Sequence, residues 1–359
     1  MSVDFVNGAV RGGVYTAAQL AKTGWYTTQY VGARHLAGPL TAPGHVPKPY
    51  SSNRPDEKAV RQAFFALLAK ERADIAKGTY KLPRDFREPP SPFYLADQAR
   101  RYFKEARAIT RRSYAKGGAT EVRETANREA YPPYYLQNFH FQTDGWLSDQ
   151  SAEIYDTQVE ALFTGAADMM RRRALPMLLA EVERLTEVGT RAPRLLDMAC
   201  GTGRLLRDVV DNAPQVKATA LDLSPAYLKQ AKRNVPKKAD VDFVEGAAET
   251  LPFEDGSMDI IMSVYLFHEL PPKVRHEVAA EVARVLKPGG LYVHVDSAQY
   301  GDTEMDILLE GFPRAVHEPY YDHYCKEDLP ALFGAAGLAK EAEEVGFLTK
   351  ATGFRRSIG

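Results

Sequence analysis

A glycine-rich turn follows a short apolar run in the stretch "PRLLDMACGTGRLL", residues 193–206. The run is typical of a buried strand, and Gly201 and Gly203 allow the backbone to turn tightly and to approach a ligand closely. A helix is expected to start after the turn, and its first N–H groups would face the same ligand. Taken by itself, this loop is weak evidence, because dinucleotide-binding folds and plain tight turns have similar sequences.

Short apolar runs alternate with helical stretches from residue 194 onwards. The runs are "RLLDMA", "KATALDL", "VDFVEG", "DIIMSVYLF" and "GLYVHVD". Parallel strands that are joined by crossover helices produce this alternation. We therefore expect an α/β fold in this part of the chain.

A carboxylate stands at the end of the second run, where Asp222 precedes Leu223 and Ser224. In nucleotide-binding doubly wound folds, a carboxylate at the tip of the second strand accepts the ribose hydroxyls. An Asp and a Ser shortly before a helix also cap it well. The two interpretations are compatible, and both stay open at this point.

Four motifs occur in a characteristic order: "LLDMACGTG", "ALDLS", "FVEGAAETLPFEDGSMDIIMSVYLFHEL" and "EVARVLKPGGLYVHVD". In order and spacing they resemble the class I S-adenosylmethionine-dependent methyltransferases, and in particular the ubiquinone and menaquinone C-methyltransferase branch. The resemblance covers residues 150 to 350 or thereabouts. It implies a Rossmann-like, doubly wound seven-stranded sheet, S-adenosyl-L-methionine as cofactor, and methyl transfer to a small aromatic or lipophilic molecule.

The resemblance also assigns roles to single residues. The methionyl end of the cofactor would meet Asp197 and the backbone from Ala199 to Gly203, the ribose would meet Asp222, and the adenine would pack on Leu223. The implied cofactor residues are Asp197, Ala199, Cys200, Gly201, Gly203, Asp222, Leu223, Ala248, Glu249, Val264 and Tyr155. Tyr155 is either a ring beside the sulfonium or a helix core residue.

Two positions depart from the family pattern. Ala199 stands where a glycine is frequent, and Ala247 stands where an aspartate often bonds the adenine amino group. The second change leaves that contact to Glu249 or to water.

His268 follows the apolar run of the fourth strand and is expected to emerge at its carboxyl edge. An imidazole titrates close to neutrality, so His268 is the candidate for taking a proton from the acceptor. Alternatively, its side chain only pins the following "ELPP" turn by hydrogen bonding.

The region before the motifs is expected to form a mainly helical cap, with domains at residues 1–150 and 151–359. Apolar spacing predicts helices within residues 16–36, 57–78, 91–118 and 148–163, and one over 166–185 that Pro176 interrupts. The run rich in Pro and Gly at residues 37–57 is expected to be an extended connection.

Two aromatic segments are candidates for the acceptor site. They are "YPPYYLQNFHFQTDGWLS", residues 131–148, and "HEPYYDHYCKEDL", residues 317–329. The first is interpreted as a lid or substrate wall, and core packing remains open for each side chain. The substrate candidates are His140, Trp146, Tyr320 and Tyr324, with Tyr134 and Tyr135 also considered.

Composition limits the classes of protein to which this chain can belong. Residues 1–150 contain 22 Lys and Arg against 14 Asp and Glu, and residues 151–359 contain 24 against 33. The two cysteines provide no disulfide framework or metal-ligand spacing, so no metal site is expected. The sequence also indicates no signal peptide or membrane span and favours a cytoplasmic protein that binds no nucleic acid. The alternative functions are a non-catalytic cofactor-binding or scaffolding protein, and an aminopropyl transferase.

Overall fold

The computed structural model describes residues 3–38, 57–114 and 121–358. The chain divides into two compact units. Met1–Asp168 and Glu304–Pro319 form the first, which we call the helical unit, and Met169–Thr303 and Tyr320–Gly359 form the second, which we call the sheet unit. The domain boundary after residue 150 stays a prediction, because compact units need not coincide with domains.

The described residues form helices and strands in the following order. The helices are α1 (Val3–Ala37), α2 (Glu57–Lys77), α3 (Arg84–Arg87), α4 (Pro92–Tyr114), α5 (Val122–Thr125), α6 (Asp149–Leu162), α7 (Ala167–Arg171), α8 (Leu175–Glu187), α9 (Arg204–Asn212), α10 (Pro225–Asn234), α11 (Pro272–Val285), α12 (Asp306–Val316), α13 (Tyr321–Cys325) and α14 (Leu329–Ala335). The strands are β1 (Arg194–Met198), β2 (Lys217–Asp222), β3 (Val241–Glu245), β4 (Met258–Val264), β5 (Leu286–Ser297), β6 (Leu338–Gly346) and β7 (Thr349–Arg356). Short 3-10 turns occupy Phe139–Phe141, Arg172–Ala174 and Phe267–Glu269.

Seven strands of the described residues form one sheet in the order β3-β2-β1-β4-β5-β7-β6. The neighbours from β3 to β5 are parallel, whereas β7 is antiparallel to both β5 and β6. The expected doubly wound α/β sheet with seven strands is therefore confirmed. The central strands β1 and β4 are almost entirely buried, which explains their nearly continuous apolar sequences.

The direction of chain progression reverses at β1, which pairs with β2 on one side and β4 on the other. In open α/β sheets, ligands bind outside the carboxyl ends of the strands at such a reversal. Asp197 lies near this end of β1, beside Ala220 of β2 and Met262 of β4. The sheet topology therefore indicates that a ligand would bind at the loop after β1, the strand that carries Asp197.

Several helices confirm the sequence predictions. The helices α2, α4 and α6 lie within the expected segments, and Ser148 caps α6 by accepting the N–H of Ser151. The segment from 166 to 185 is interrupted by a 3-10 turn just before Pro176, which occupies the first turn of α8. A proline is tolerated there because its missing N–H has no helical partner at that position.

The first helix differs from its prediction. Helix α1 has 35 residues rather than the short helix expected within residues 16–36. Of the predicted extended connection at 37–57, residues 39–56 lie outside the described residues. No helix in the described ranges is both long enough and apolar enough to cross a membrane.

Apolar packing and a buried ion cluster hold the helical unit together. Its apolar cluster comprises Ala33 of α1, Tyr102 and Ala106 of α4, and Ile154 and Ala161 of α6. Burial of these side chains is the main favourable contribution to folding.

The ion cluster of the helical unit is centred on Lys22. The ammonium group of Lys22 lies 2.6 Å from Glu160 and 3.0 Å from Asp168. Burial raises the pKa of Glu160 to about 6, against the opposing effect of Lys22. Both carboxylates therefore depend on Lys22 for compensation of their charge.

Candidate active site

The loop from Ala199 to Gly203 joins β1 to α9. The φ angles of Ala199, Gly201 and Gly203 are 57°, 54° and 71°, in the left-handed region that glycine tolerates best. A Cβ atom on Gly203 would also lie 3.2 Å from the Cβ of Ala231. The loop thus requires glycine at position 203, and Ala199 adopts its conformation with some strain.

Asp222 holds this loop against the tip of β2. Its Oδ2 atom accepts the backbone N–H of Gly201, and its Oδ1 atom accepts that of Ser224, each at 2.8 Å. Burial raises the pKa of Asp222 to about 6, although the backbone hydrogen bonds oppose this rise. The helix cap that the sequence allowed is provided by Ser224, whose side chain accepts the N–H of Tyr227 at the start of α10.

Asp197 is buried beside the glycine loop. Its side chain is 2% exposed, and its Oδ1 atom accepts no hydrogen bond from the described residues. Burial, and then the nearby Asp222, raises the pKa of Asp197 well above its usual range. Burial likewise raises the pKa of the Cys200 thiol, with Asp222 and Asp197 adding to the effect. Such a site suits a ligand with positive charge or hydrogen-bond donors.

The other cofactor candidates of the sheet unit follow neighbouring strands. Leu223 directly follows β2, Ala248 and Glu249 follow β3, and Val264 is the last residue of β4. Ala248 is buried, whereas the other three are partly exposed. Because β3, β2, β1 and β4 are consecutive in the sheet and parallel, these candidates lie along one edge.

His268 lies in the 3-10 turn after β4 and contacts Asp296 of β5. The Nδ1 atom of His268 is 2.5 Å from Oδ1 of Asp296, whose Oδ2 accepts the N–H of Phe267 at 2.8 Å. Burial alone would raise the pKa of Asp296, but the charge and hydrogen bond of His268 keep it below its usual value. Because an ionised carboxylate accepts the Nδ1 proton, the Nε2 atom of a neutral His268 is left as an acceptor.

The two substrate candidates of the sheet unit differ in exposure. Tyr324 is fully buried, and its hydroxyl donates to the carbonyl oxygen of Ser297 at 3.0 Å. Tyr320 is partly exposed, and its carbonyl oxygen accepts a hydrogen bond from Arg275 at 2.8 Å. The burial of Tyr324 favours a packing role, while Tyr320 remains accessible to a ligand.

Three further candidates form an aromatic group in the helical unit. The ring centroid of Trp146 lies 5.1 Å from that of His140 and 5.4 Å from that of Tyr155. The Nε2 atom of His140 is 2.8 Å from Oε1 of Glu318. The sequence suggested His140 and Trp146 for the substrate and Tyr155 for the cofactor, whereas the structure packs all three against one another.

Two residues at the carboxyl edge of the sheet were missed by the sequence analysis. Asp296 could have been noticed as a carboxylate near the end of the apolar run "GLYVHVD". Tyr265 follows β4 with a φ of 57°, and the guanidinium carbon of Arg171 lies 5.8 Å from its ring centroid. Neither the left-handed backbone of Tyr265 nor its contact with Arg171 has a signature in the sequence.

Known proteins resemble this chain over the same region. A family model described as a methyltransferase domain matches residues 195–290. A demethylmenaquinone methyltransferase of Chlorobaculum tepidum is 34% identical over 192 residues, which cover 52% of this chain and 68% of the relative. An uncharacterised methyltransferase of Synechocystis is 37% identical over 103 residues, which cover 29% of this chain and 46% of the relative.

A third relative is a phthiotriol/phenolphthiotriol dimycocerosates methyltransferase of Mycobacterium ulcerans, 36% identical over 127 residues, which cover 34% of this chain and 45% of the relative. The chain therefore spans about half the length of several of the curated relatives that it matches.

Proposed function

The chain belongs to the class I S-adenosylmethionine-dependent methyltransferases, and from this premise we propose that it transfers a methyl group to a small aromatic or lipophilic molecule. The observation that carries the proposal is the combination of the strained glycine loop with two buried carboxyl groups beneath it. Asp222 binds the loop through Gly201, and Asp197 keeps an oxygen atom without a hydrogen-bond donor from the described residues.

These residues fit S-adenosyl-L-methionine, whose sulfonium and ammonium groups are cationic and whose ribose presents two hydroxyl donors. When bound, this cofactor supplies an electrophilic methyl group. We assign the ribose to Asp222, and the methionyl end to Asp197 and the backbone from Ala199 to Gly203. A regular strand would pair its backbone N–H and C=O groups with neighbouring strands. The positive φ angles within this loop turn such groups out of that arrangement, so that they can face a ligand.

The remaining cofactor residues are assigned by the resemblance and by their places in the sheet. Leu223 would pack on the adenine, Ala248 and Glu249 would meet its edge, and Val264 would lie beside the methionine moiety. Cys200 contributes its backbone to the loop. Tyr155 belongs to the helical unit, and its role towards the sulfonium stays a prediction.

His268 is proposed as the residue that removes the proton of the acceptor. Its Nδ1–H donates to Asp296, so Nε2 is the acceptor nitrogen of the neutral ring. Asp296 fixes the orientation of the ring and stabilises the imidazolium that forms when Nε2 takes a proton. Asp296 is thus a positioning residue, and in an enzyme whose acceptor is already deprotonated the pair would serve only to hold the turn.

The proposed chemical class of the acceptor is inferred from the names of the relatives. The names of two of them refer to demethylmenaquinone and to phthiotriol or phenolphthiotriol dimycocerosates, and these names support a lipophilic acceptor for this chain. His140, Trp146, Tyr320 and Tyr324 stay proposed acceptor contacts, with Tyr320 the more accessible of the two in the sheet unit.

Calorimetry and a labelled donor test this proposal. The protein is titrated with S-adenosylmethionine and S-adenosylhomocysteine, and is then incubated with methyl-labelled donor and fractionated lipophilic metabolites. We expect both ligands to bind and label to appear in one extracted product that mass spectrometry identifies. Absence of binding would overturn the proposal, whereas binding without transfer to any fraction would favour a non-catalytic cofactor-binding protein. Transfer of an aminopropyl group from decarboxylated S-adenosylmethionine, with no methyl transfer from S-adenosylmethionine, would indicate an aminopropyl transferase.

A further inference from the structure

We propose that the helical unit contains a binding site for a lipophilic carboxylate, lined in part by His140. A pocket with about 510 Å³ of space, part of it open to solvent, lies among the helices of this unit. Its apolar walls include Ala106 and Ile109 of α4, Val159 and Leu162 of α6, and Val316 of α12. Apolar walls with a few polar groups among them are typical of sites for small organic molecules. This proposal does not depend on methyl transfer.

Arg34 provides the positive charge of the pocket. One of its terminal nitrogens is 3.2 Å from the carbonyl oxygen of Gly38 and 3.5 Å from the hydroxyl oxygen of Thr110. Its buried Nε atom has no hydrogen-bond acceptor among the described residues. Neither neighbour carries a negative charge. The guanidinium therefore lines an apolar pocket with a donor unused and its charge uncompensated by these contacts.

The side-chain amide of Gln158 is held by a chain of hydrogen bonds. The Ser151 hydroxyl donates its one proton to the carbonyl oxygen of Gly145 at 2.6 Å. The side-chain amide of Gln142 contacts Ser151 at one end and Gln158 at the other. Gln158 lines the same pocket as Arg34.

The guanidinium of Arg34 determines the chemistry of the occupant. A buried N–H group without an acceptor is costly, so a ligand that provides acceptor atoms gains affinity at this pocket. A carboxylate satisfies the guanidinium with charge-assisted hydrogen bonds, and a hydrocarbon or aromatic body fills the space between α4, α6 and α12. Tyr102, another lining residue, is a phenol that is uncharged near neutral pH and adds no negative charge against the ligand, and burial raises its pKa further, to about 12.

Decanoate and 1-decanol are the probes, because they share a chain and differ in the charged end. Isothermal titration of the full chain near neutral pH is expected to show saturable decanoate binding and much weaker binding of 1-decanol. Arg34→Gln should weaken decanoate binding by about tenfold to a hundredfold, the usual effect of a hydrogen bond to a charged group. Arg100→Gln is the matched control, since Arg100 is an exposed residue of α4 that pairs with Asp97 three residues away. Its decanoate affinity should equal that of the wild type.

Filling the pocket provides an independent test. Ala106→Phe should abolish decanoate binding, and Ile109→Trp does so from a partly exposed position if the first variant does not fold. S-adenosylhomocysteine is titrated into the same samples, and its unchanged affinity shows that the sheet unit is intact. The proposal is overturned if decanoate does not bind, if 1-decanol binds equally well, or if Arg34→Gln or the filling variant leaves decanoate affinity unchanged. None of these results bears on whether the protein transfers methyl groups.

Discussion

The Nδ1 atom of His268 lies 2.5 Å from the Oδ1 atom of Asp296, and both side chains are buried. Asp296 also accepts the backbone N–H of Phe267 at 2.8 Å, so one carboxylate fixes both the ring and the turn that carries it. The contact makes Nε2 the basic atom of a neutral His268. This geometry defines the ring orientation of the histidine that the sequence nominated as a base.

Replacing His268 with Asn should lower turnover by about a hundredfold to ten-thousandfold, because Asn cannot act as a comparable base. The affinity for S-adenosylhomocysteine should barely change. Initial rates with the identified acceptor, measured from pH 6 to pH 9 or so, provide the test. Turnover within a few fold of the wild type across this range would show that His268 is structural.

Two further variants separate a chemical role from a structural one. Asp296→Asn should lower turnover and shift the pH profile, because the amide no longer stabilises an imidazolium. His276→Asn replaces an exposed histidine of α11 and should leave turnover unchanged.

Asp222→Ala should weaken the binding of S-adenosylmethionine by about 1.5 to 3 kcal/mol, the usual range for hydrogen bonds to a charged group. The substitution also releases the N–H of Gly201, so Asp222→Asn is the matched variant that retains one side-chain oxygen. Titration calorimetry on both variants measures the loss. Wild-type affinity in a folded Asp222→Ala protein would exclude the ribose assignment.

Cofactor affinity should depend on pH through Asp222. Burial raises its pKa to about 6, so the carboxyl group of the free protein is largely protonated at pH 5 and ionised at pH 7. Ribose hydroxyls donate to the ionised form, and affinity for S-adenosylhomocysteine should therefore rise about tenfold between these values. The dependence should be lost in Asp222→Asn. A flat profile in the wild type would contradict the assignment.

The same raised pKa has the opposite consequence for folding. The folded protein holds the Asp222 proton more tightly than the unfolded chain does, so the contribution of this group to stability falls as pH rises from about 4 to about 6.

Ala199→Gly should stabilise the protein by about 0.5 to 1 kcal/mol. Ala199 has a φ of 57°, where a Cβ atom costs about 1 to 2 kcal/mol, and part of that gain is offset by the larger conformational entropy of glycine in the unfolded chain. Urea unfolding measures the difference. Ala220→Gly, in the extended backbone of β2, is the control and should be destabilising. A loss of stability in Ala199→Gly would contradict the strain at this position.

Lys22→Met should destabilise the helical unit by about 3 to 5 kcal/mol, because Glu160 and Asp168 would remain buried without a counter-charge. The pKa of Glu160 is already raised to about 6 by burial, so lowering the pH from about 7 to about 5 should reduce this deficit as the carboxyl group becomes protonated. Thermal unfolding at the two pH values tests both statements. Lys326→Met removes an exposed pair with Asp322 and should have little effect.

Much of the sheet unit was predictable because its signals are local. Buried parallel strands produce continuous apolar runs, and the turn after β1 requires glycine where φ is positive, as at Gly201 and Gly203. The helices α2, α4 and α6 were predictable for a similar reason, because apolar spacing and the Ser148 cap depend only on residues that are close in the sequence. The length of α1 was not predictable from the sequence, because packing against distant helices can extend a helix beyond its local preference.

The sequence by itself determined the α/β class, the succession along the chain of the strands that carry the cofactor motifs, and the positions of Asp197, Asp222 and the glycine loop. Only the tertiary structure decided which side chains meet: Asp296 with His268, His140 with Trp146 and Tyr155, and Arg34 with Gln158 around one pocket. The physical reason is that propensity and periodicity act over a few residues, whereas these contacts join positions that are far apart in the chain. Their energies depend on burial, direction and charge compensation, which exist only once the chain has folded.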